Sequence, residues 1–214
     1  DFISFVFRRI QMREFVYYSR TAPTSGNAIG EDLQRAGRID IAIHVIIAAF
    51  FLSHKLRNGV RLHLCFAGMP DPPKHLELNS INEDTGTERL HLAKTDVSAV
   101  LKKMLYKCRE GEKREVLPGF FVEKRGFLEI IKELKEKGRN IYILDPKGED
   151  IRTAEIKENP IFILGDHKGL PLKELKRLKS RCMPVKIGKR VYFASQTMAV
   201  VNNEIDRRED SGKL

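Results

Sequence analysis

The chain has 214 residues, 42% hydrophobic and 32% charged, which excludes a disordered polymer and fits one substantial core or two small ones. No apolar run reaches the roughly 18 residues that a membrane-spanning helix needs. The net charge of +10 points to a polyanionic partner, nucleic acid first, although a mixed Lys/Glu surface such as Glu129 to Lys137 is the plain alternative. Three cysteines (Cys65, Cys108, Cys182) are too few and too scattered for a disulfide framework or a zinc site. A reducing cytoplasm and no metal are therefore expected.

Residues 1–11 are apolar but lack the leading positive region and the small-residue cleavage site of a signal peptide. Met12 reads as a start, which makes 1–11 an N-terminal extension or an extra strand. Residues 13–18 predict a first strand, and the turn-rich Thr21 to Gly30 a loop. Gly37 to Leu56 is apolar enough for a nearly fully buried helix, with His44 and His54 as core or helix-end residues. Val60 to Ala67 predicts a strand, Gly68 to Lys74 a loop stiffened by Pro70, Pro72 and Pro73, and Leu76 to Leu78 a short strand. Asn79 to Glu88 is turn-like. Thr95 to Cys108 predicts an amphipathic helix with Asp96 as its cap. From Val116 on, strand and helix alternate. Val116 to Val122 is a strand broken at Pro118-Gly119, and Phe127 to Lys137 a helix closed by Gly138. Asn140 to Leu144 and Ile161 to Leu164 are strands, with the helix Leu172 to Lys179 next. Met183 to Ile187 and the helix Ser195 to Arg208 end the pattern. This alternation predicts a parallel sheet with helices on both faces and ligand binding beyond the carboxyl ends of the strands, where Leu144-Asp145-Pro146 and Leu164-Gly165-Asp166 lie.

Two loops carry candidate chemistry. Gly165-Asp166-His167-Lys168-Gly169 follows a strand, so backbone can approach a ligand at Gly165, and Asp166 can cap the next helix or accept from a ligand. A plain turn is the alternative, since the nucleotide-binding glycine fingerprints are absent. Asp71 sits in Pro70-Asp71-Pro72-Pro73-Lys74, a stiff loop that suits a positioned base, with Lys74 keeping it ionised; a solvated turn carboxylate is the alternative. Cys182 lies near the cofactor-like loops without a base beside it. Lys55, Arg57, Lys102, Lys103, Lys107, Lys113, Arg114, Lys124 and Arg125 are candidate phosphate contacts. Tyr17, Tyr18 and Phe121 are candidates to stack on a splayed base.

The order of the Gly165 loop, Ile187-Gly188-Lys189-Arg190-Val191 and the helix ending Asn202-Asn203-Glu204-Ile205-Asp206-Arg207 resembles the SPOUT methyltransferases. With Thr24-Ser25-Gly26, Gly37-Arg38-Ile39-Asp40, Phe50 to His54 and the Asp71 loop, the chain from about 12 to 208 resembles the archaeal tRNA pseudouridine N1-methyltransferases. The resemblance implies an α/β SPOUT knot: one domain with a parallel-rich sheet, helices on both faces and a C-terminal trefoil knot. Its knot and cofactor loops would span about 140–208, before a polar tail 209–214. It implies S-adenosylmethionine (SAM) as cofactor, S-adenosylhomocysteine as product and no metal. The partners implied are tRNA and a second copy of the chain, with Met198, Val200 and Val201 offered for the dimer interface. Asp71 is then the base or its orienter, acting at N1 of pseudouridine 54 in the TΨC loop. Leu144, Gly165, Asp166, Ile187, Gly188, Lys189, Arg190, Val191, Tyr192 and Thr197 become cofactor contacts. Thr24, Ser25, Arg38 and Lys74 become RNA contacts, with an Arg38–Asp40 ion pair as the plain alternative. Thr197 stands where the family usually has a cysteine, so a thiolate mechanism is in doubt. A small-subunit rRNA pseudouridine N1-methyltransferase, a ribose 2′-O-methyltransferase and a non-catalytic RNA-binding factor remain alternatives.

Overall fold

The computed structural model describes residues 12–80 and 92–212. The expected N-terminal extension and most of the turn-like stretch after Asn79 lie outside the described residues. One sheet of eight strands organises the fold: β1 (Arg13–Ser19), β2 (Val60–Phe66), β3 (Lys74–Asn79), β4 (Arg114–Leu117), β5 (Phe120–Glu123), β6 (Ile141–Asp150), β7 (Ile161–Gly165) and β8 (Met183–Lys186). Their order is β4-β5-β3-β2-β1-β7-β6-β8. The five strands from β2 to β8 in that order run parallel, and β3, β5 and β4 add an antiparallel edge.

The central strands are buried on both faces, which is why they read as continuous apolar runs. Phe15, Tyr17, Leu62, Leu64, Phe162 and Leu164 point into a core closed by α1 (Ile39–Phe50), α2 (Val97–Lys107) and α5 (Ala194–Asp210). Val16, Cys65, Ile143, Ile161 and Ile163 point to the other side, under α3 (Phe127–Glu136) and α4 (Leu172–Lys179). The expectation of helices on both faces therefore holds.

Several boundaries differ from the sequence reading. The first helix is shorter than Gly37 to Leu56. Arg38 is left-handed (φ 60°), so the helix starts only at Ile39; Phe51 is extended, and Arg57 N–H returns to the Phe50 carbonyl. His44 is exposed on α1, neither core nor helix end. Asp96 precedes α2 but its side chain caps nothing. Pro118-Gly119 is the turn of the β4–β5 hairpin, so the stretch read as one broken strand is the antiparallel edge of the sheet. β6 continues past Leu144 because Val185 on β8 pairs with both Leu144 and Glu149, and residues 145–148 bulge between them. A Cβ on Gly148 would lie 2.5 Å from the Pro184 carbonyl carbon, so the bulge needs glycine there. The last helix runs on to Asp210, with Glu209 bound to Arg13, where a polar tail was expected.

Candidate active site

One cavity of about 500 Å³ opens at the bulge of β6 and the carboxyl ends of β7 and β8, inside the roughly 300–1,000 Å³ of small-molecule sites. Three segments build it: 144–146 where β6 begins to bulge, 164–169 at the end of β7, and 186–197 running into α5; Ile41 of α1 closes a wall. Of the ten expected cofactor contacts, Leu144, Gly165, Asp166, Ile187, Gly188, Arg190, Val191, Tyr192 and Thr197 line this one cavity; Lys189 does not. Residues 161–169 fold back on themselves so tightly that a Cβ on Gly165 would meet the Gly169 carbonyl carbon at 2.5 Å. The loop therefore presents backbone to the cavity.

Asp166 lines the cavity, yet its carboxylate serves the chain itself. Oδ2 accepts from the Ser19 hydroxyl (3.0 Å) and the Arg20 N–H (2.9 Å), and Oδ1 accepts from the Lys168 N–H (2.9 Å). It does not cap α4; it ties the β7 loop to the end of β1. Phe193 also lines the cavity, and the sequence reading missed it. Its N–H bonds to Gln196 Oε1 at 3.2 Å, which closes the first turn of α5. Cys182 is buried under α4 with Leu178 and is not a lining residue.

The Asp71 loop follows β2, and the Gly165 loop follows β7. Only β1 separates these strands, so both loops emerge on the same rim, about 10 Å apart by strand spacing. Asp71 is 53% exposed and is gripped at both oxygens, by Lys124 Nζ (2.7 Å to Oδ1) and Lys74 Nζ (2.7 Å to Oδ2). The hydrogen bonds from Lys124 and then Lys74 lower its pKa to about 2. The buried Thr24 hydroxyl donates to the Gly68 carbonyl and accepts from the Asp71 N–H, each at 2.8 Å. Thr24 is thus the latch of the Asp71 loop, its hydroxyl both donating and accepting. Lys74 is buried and paired with Asp71. Arg38 makes the bidentate pair with Asp40 (3.0 Å and 3.0 Å), and Ser25 is half-buried.

Among the other basic candidates, Arg57, Lys113, Arg114, Lys124 and Arg125 are paired with Asp206, Glu77, Glu112, Asp71 and Glu133. Lys55, Lys103 and Lys107 stay exposed, the last two on α2 beside the Gly26 turn. Tyr17 is buried, and burial raises its phenol pKa; Tyr18 packs on Phe127 at 5.0 Å. Phe121 lies under Lys113, 5.1 Å from its ring centroid. None of the three is poised to stack on a base.

The family described as "Putative SAM-dependent RNA methyltransferase" matches residues 12–210. A tRNA (pseudouridine(54)-N(1))-methyltransferase of Pyrococcus abyssi is 34% identical over 201 residues, 92% of this chain and 98% of its own length. A protein of Vibrio parahaemolyticus named "Putative pseudouridine methyltransferase" is also 34% identical, over 92% of this chain and all of its own. The structure of Archaeoglobus fulgidus Nep1 bound to S-adenosylhomocysteine superposes with a TM-score of 0.59 at 12% identity, covering 94% of this chain and 99% of that one. That likeness is one of fold.

Proposed function

The chain belongs to the SAM-dependent RNA methyltransferase family, and from that premise we propose that it methylates N1 of pseudouridine 54 in the TΨC loop of tRNA. The observation that carries this reading is similarity over 92% of the chain to an enzyme of that name, joined to a cavity of cofactor size on the same rim of the sheet as the ionised Asp71. SAM fits the cavity's chemistry: the β6 bulge and the loops after β7 and β8 offer backbone groups, and Leu144, Ile187 and Val191 offer apolar surface. When bound, it supplies a methyl group on a sulfonium and needs no metal. Asp71 accepts a hydrogen bond from N1–H of the target and takes that proton as N1 becomes acidic. Lys74 and Lys124 hold the carboxylate in line. Thr197 lines the cavity where the family usually has a cysteine, so this position supplies no thiolate. Lys103, Lys107 and Lys55 hold phosphates.

The reading includes a homodimer and the C-terminal knot. Val191 and Phe193, which line the cavity, are 88% and 75% exposed, apolar surface that a second copy covers. Met198 and Val201, first offered for the interface, are buried against α1 in their own chain and are not available. The step from β7 across β6 to β8, with the 186–197 loop returning to the same cavity, supports the knot. Phe193→Asp is expected to shift sedimentation from a dimer to a monomer of 24.6 kDa. An unchanged sedimentation coefficient would remove this face from the interface.

Two matched TΨC stem-loops test the chemistry, one with pseudouridine and one with uridine at the target. Methyl transfer from labelled SAM is expected only to the pseudouridine RNA, because the uridine N1 is glycosidic and carries no proton. Transfer to both would place the methyl on ribose or another base atom and sink the N1 reading.

A further inference from the structure

On the sheet face under α3, four buried side chains form a row across four strands: Glu14 on β1, His63 on β2, His75 on β3 and Glu123 on β5. His63 Nε2 lies 3.3 Å from Glu14 Oε2, and His75 Nδ1 lies 2.8 Å from Glu123 Oε1. The two inner nitrogens, His63 Nδ1 and His75 Nε2, face each other at 2.9 Å. A carboxylate can only accept, so each outer ring nitrogen carries the hydrogen, and a neutral imidazole has just one. Both inner nitrogens are then bare lone pairs in contact, away from water. With both outer nitrogens donating, the inner pair leaves room for a cation, either a proton or a metal ion.

Glu77 favours the metal. It is the register partner of His63 on β3, and its Oε2 lies 3.9 Å from His63 Nδ1. The three donor atoms lie within 4.8 Å of one another. A shared proton engages two of them, whereas a divalent ion engages all three. Glu14 and Glu123 stand where ligating histidines regularly keep a carboxylate, on the ring nitrogen turned away from the ion.

We propose that His63 Nδ1, His75 Nε2 and the Glu77 carboxylate form a binding site for a transition-metal ion of the zinc class, one that pins β2 to β3. Nitrogen and carboxylate donors without thiolate suit Zn²⁺, Co²⁺ or Ni²⁺. Metal–nitrogen bonds of about 2.0–2.1 Å set the two nitrogens of a tetrahedral ion roughly 3.3 Å apart, so the pair opens only slightly from 2.9 Å. On binding, the shared proton leaves for solvent. Lys113, now 2.7 Å from Glu77 Oε2, gives way to the ion, and its side chain is 42% exposed and free to swing outward. The site has a consequence for Asp71. His75 follows Lys74 and Glu123 precedes Lys124, so the ion stiffens the β2–β3–β5 pairing from which both lysines reach Asp71.

The test is a Co²⁺ titration of the chelator-stripped full chain near neutral pH, read by visible absorption and by calorimetry. One ion per chain is expected, with the intense bands of a four- or five-coordinate centre, and Zn²⁺ should displace it. Glu123→Gln is expected to weaken binding by about 10–100-fold. Lys113→Ala is expected to tighten it, and His54→Ala, at an exposed histidine, to leave it unchanged. Failure of the wild-type chain to bind one ion overturns the proposal whatever the variants do, and assigns the gap to a proton. Full-strength binding by a folded His75→Gln chain overturns it equally. Neither readout depends on methyl transfer.

Discussion

Asp71→Asn lowers the rate of methyl transfer by about 10²–10⁴-fold, the usual contribution of a positioned proton acceptor, and leaves SAM affinity within a few-fold. The amide keeps the shape of the side chain and removes its charge. It also places an N–H group against one of two lysines that now both find carboxylate oxygen. Turnover therefore falls through the lost acceptor and through the slackened loop, while the cavity, whose lining does not include Asp71, stays intact. Single-turnover transfer from labelled SAM, together with calorimetry for SAM, separates the two effects. A drop of less than tenfold would return Asp71 to the status of a solvated turn residue. The pH profile adds an independent check. Asp71 titrates at about 2, below its ordinary 3.8, so it is protonated only as pH falls through 2. Its ion pairs are complete above the unfolded value and lost below the folded one, so the rate has no inflection from Asp71 between about pH 5 and 8. A limb near pH 4 that disappears in Asp71→Asn would contradict the lysine clamp.

The parallel core was legible because strands buried on both faces must be continuously apolar, as Ile161 to Leu164 is. The cavity residues were legible through resemblance: the Gly165 loop alone reads equally well as a turn, and it gains meaning only beside 187–197. Side-chain commitments were not legible. Thr24 and Asp166 look like free polar groups in sequence, yet both are occupied by backbone 44 and 146 positions away. The His63–His75–Glu77 cluster was missed for a related reason. His75 and Glu77 share a face by alternation, but His63 joins them only once the β2–β3 register is known. The β4–β5 hairpin was lost because Pro118-Gly119 reads alike as a strand defect or a turn.

Arg13→Met is expected to destabilise the fold by about 3 kcal/mol, the lower end for breaking a buried ion pair. The Arg13 guanidinium is buried at the start of β1 and holds three points of α5: Asp206 Oδ1 at 2.6 Å, Glu209 Oε1 at 2.7 Å and the Asn202 carbonyl at 3.1 Å. Methionine fills most of the volume, so the loss comes from the partners left behind and not from a cavity. The effect stays near the lower end because Arg57 still holds Asp206 at 2.5 Å and Glu209 can turn to water. Thermal unfolding should show a midpoint lowered by roughly 6–12 °C for a chain of this size. A shift under about 2 °C would mean that the ion cluster behaves as solvated surface. The same helix carries Ala194, Gln196 and Thr197 into the cavity wall. Its C-terminal half is bound to β1 through Arg13, and its N-terminal half shapes the cavity. The variant should therefore lose SAM binding at a lower temperature than the wild type while matching its affinity in the cold, where the helix is still docked.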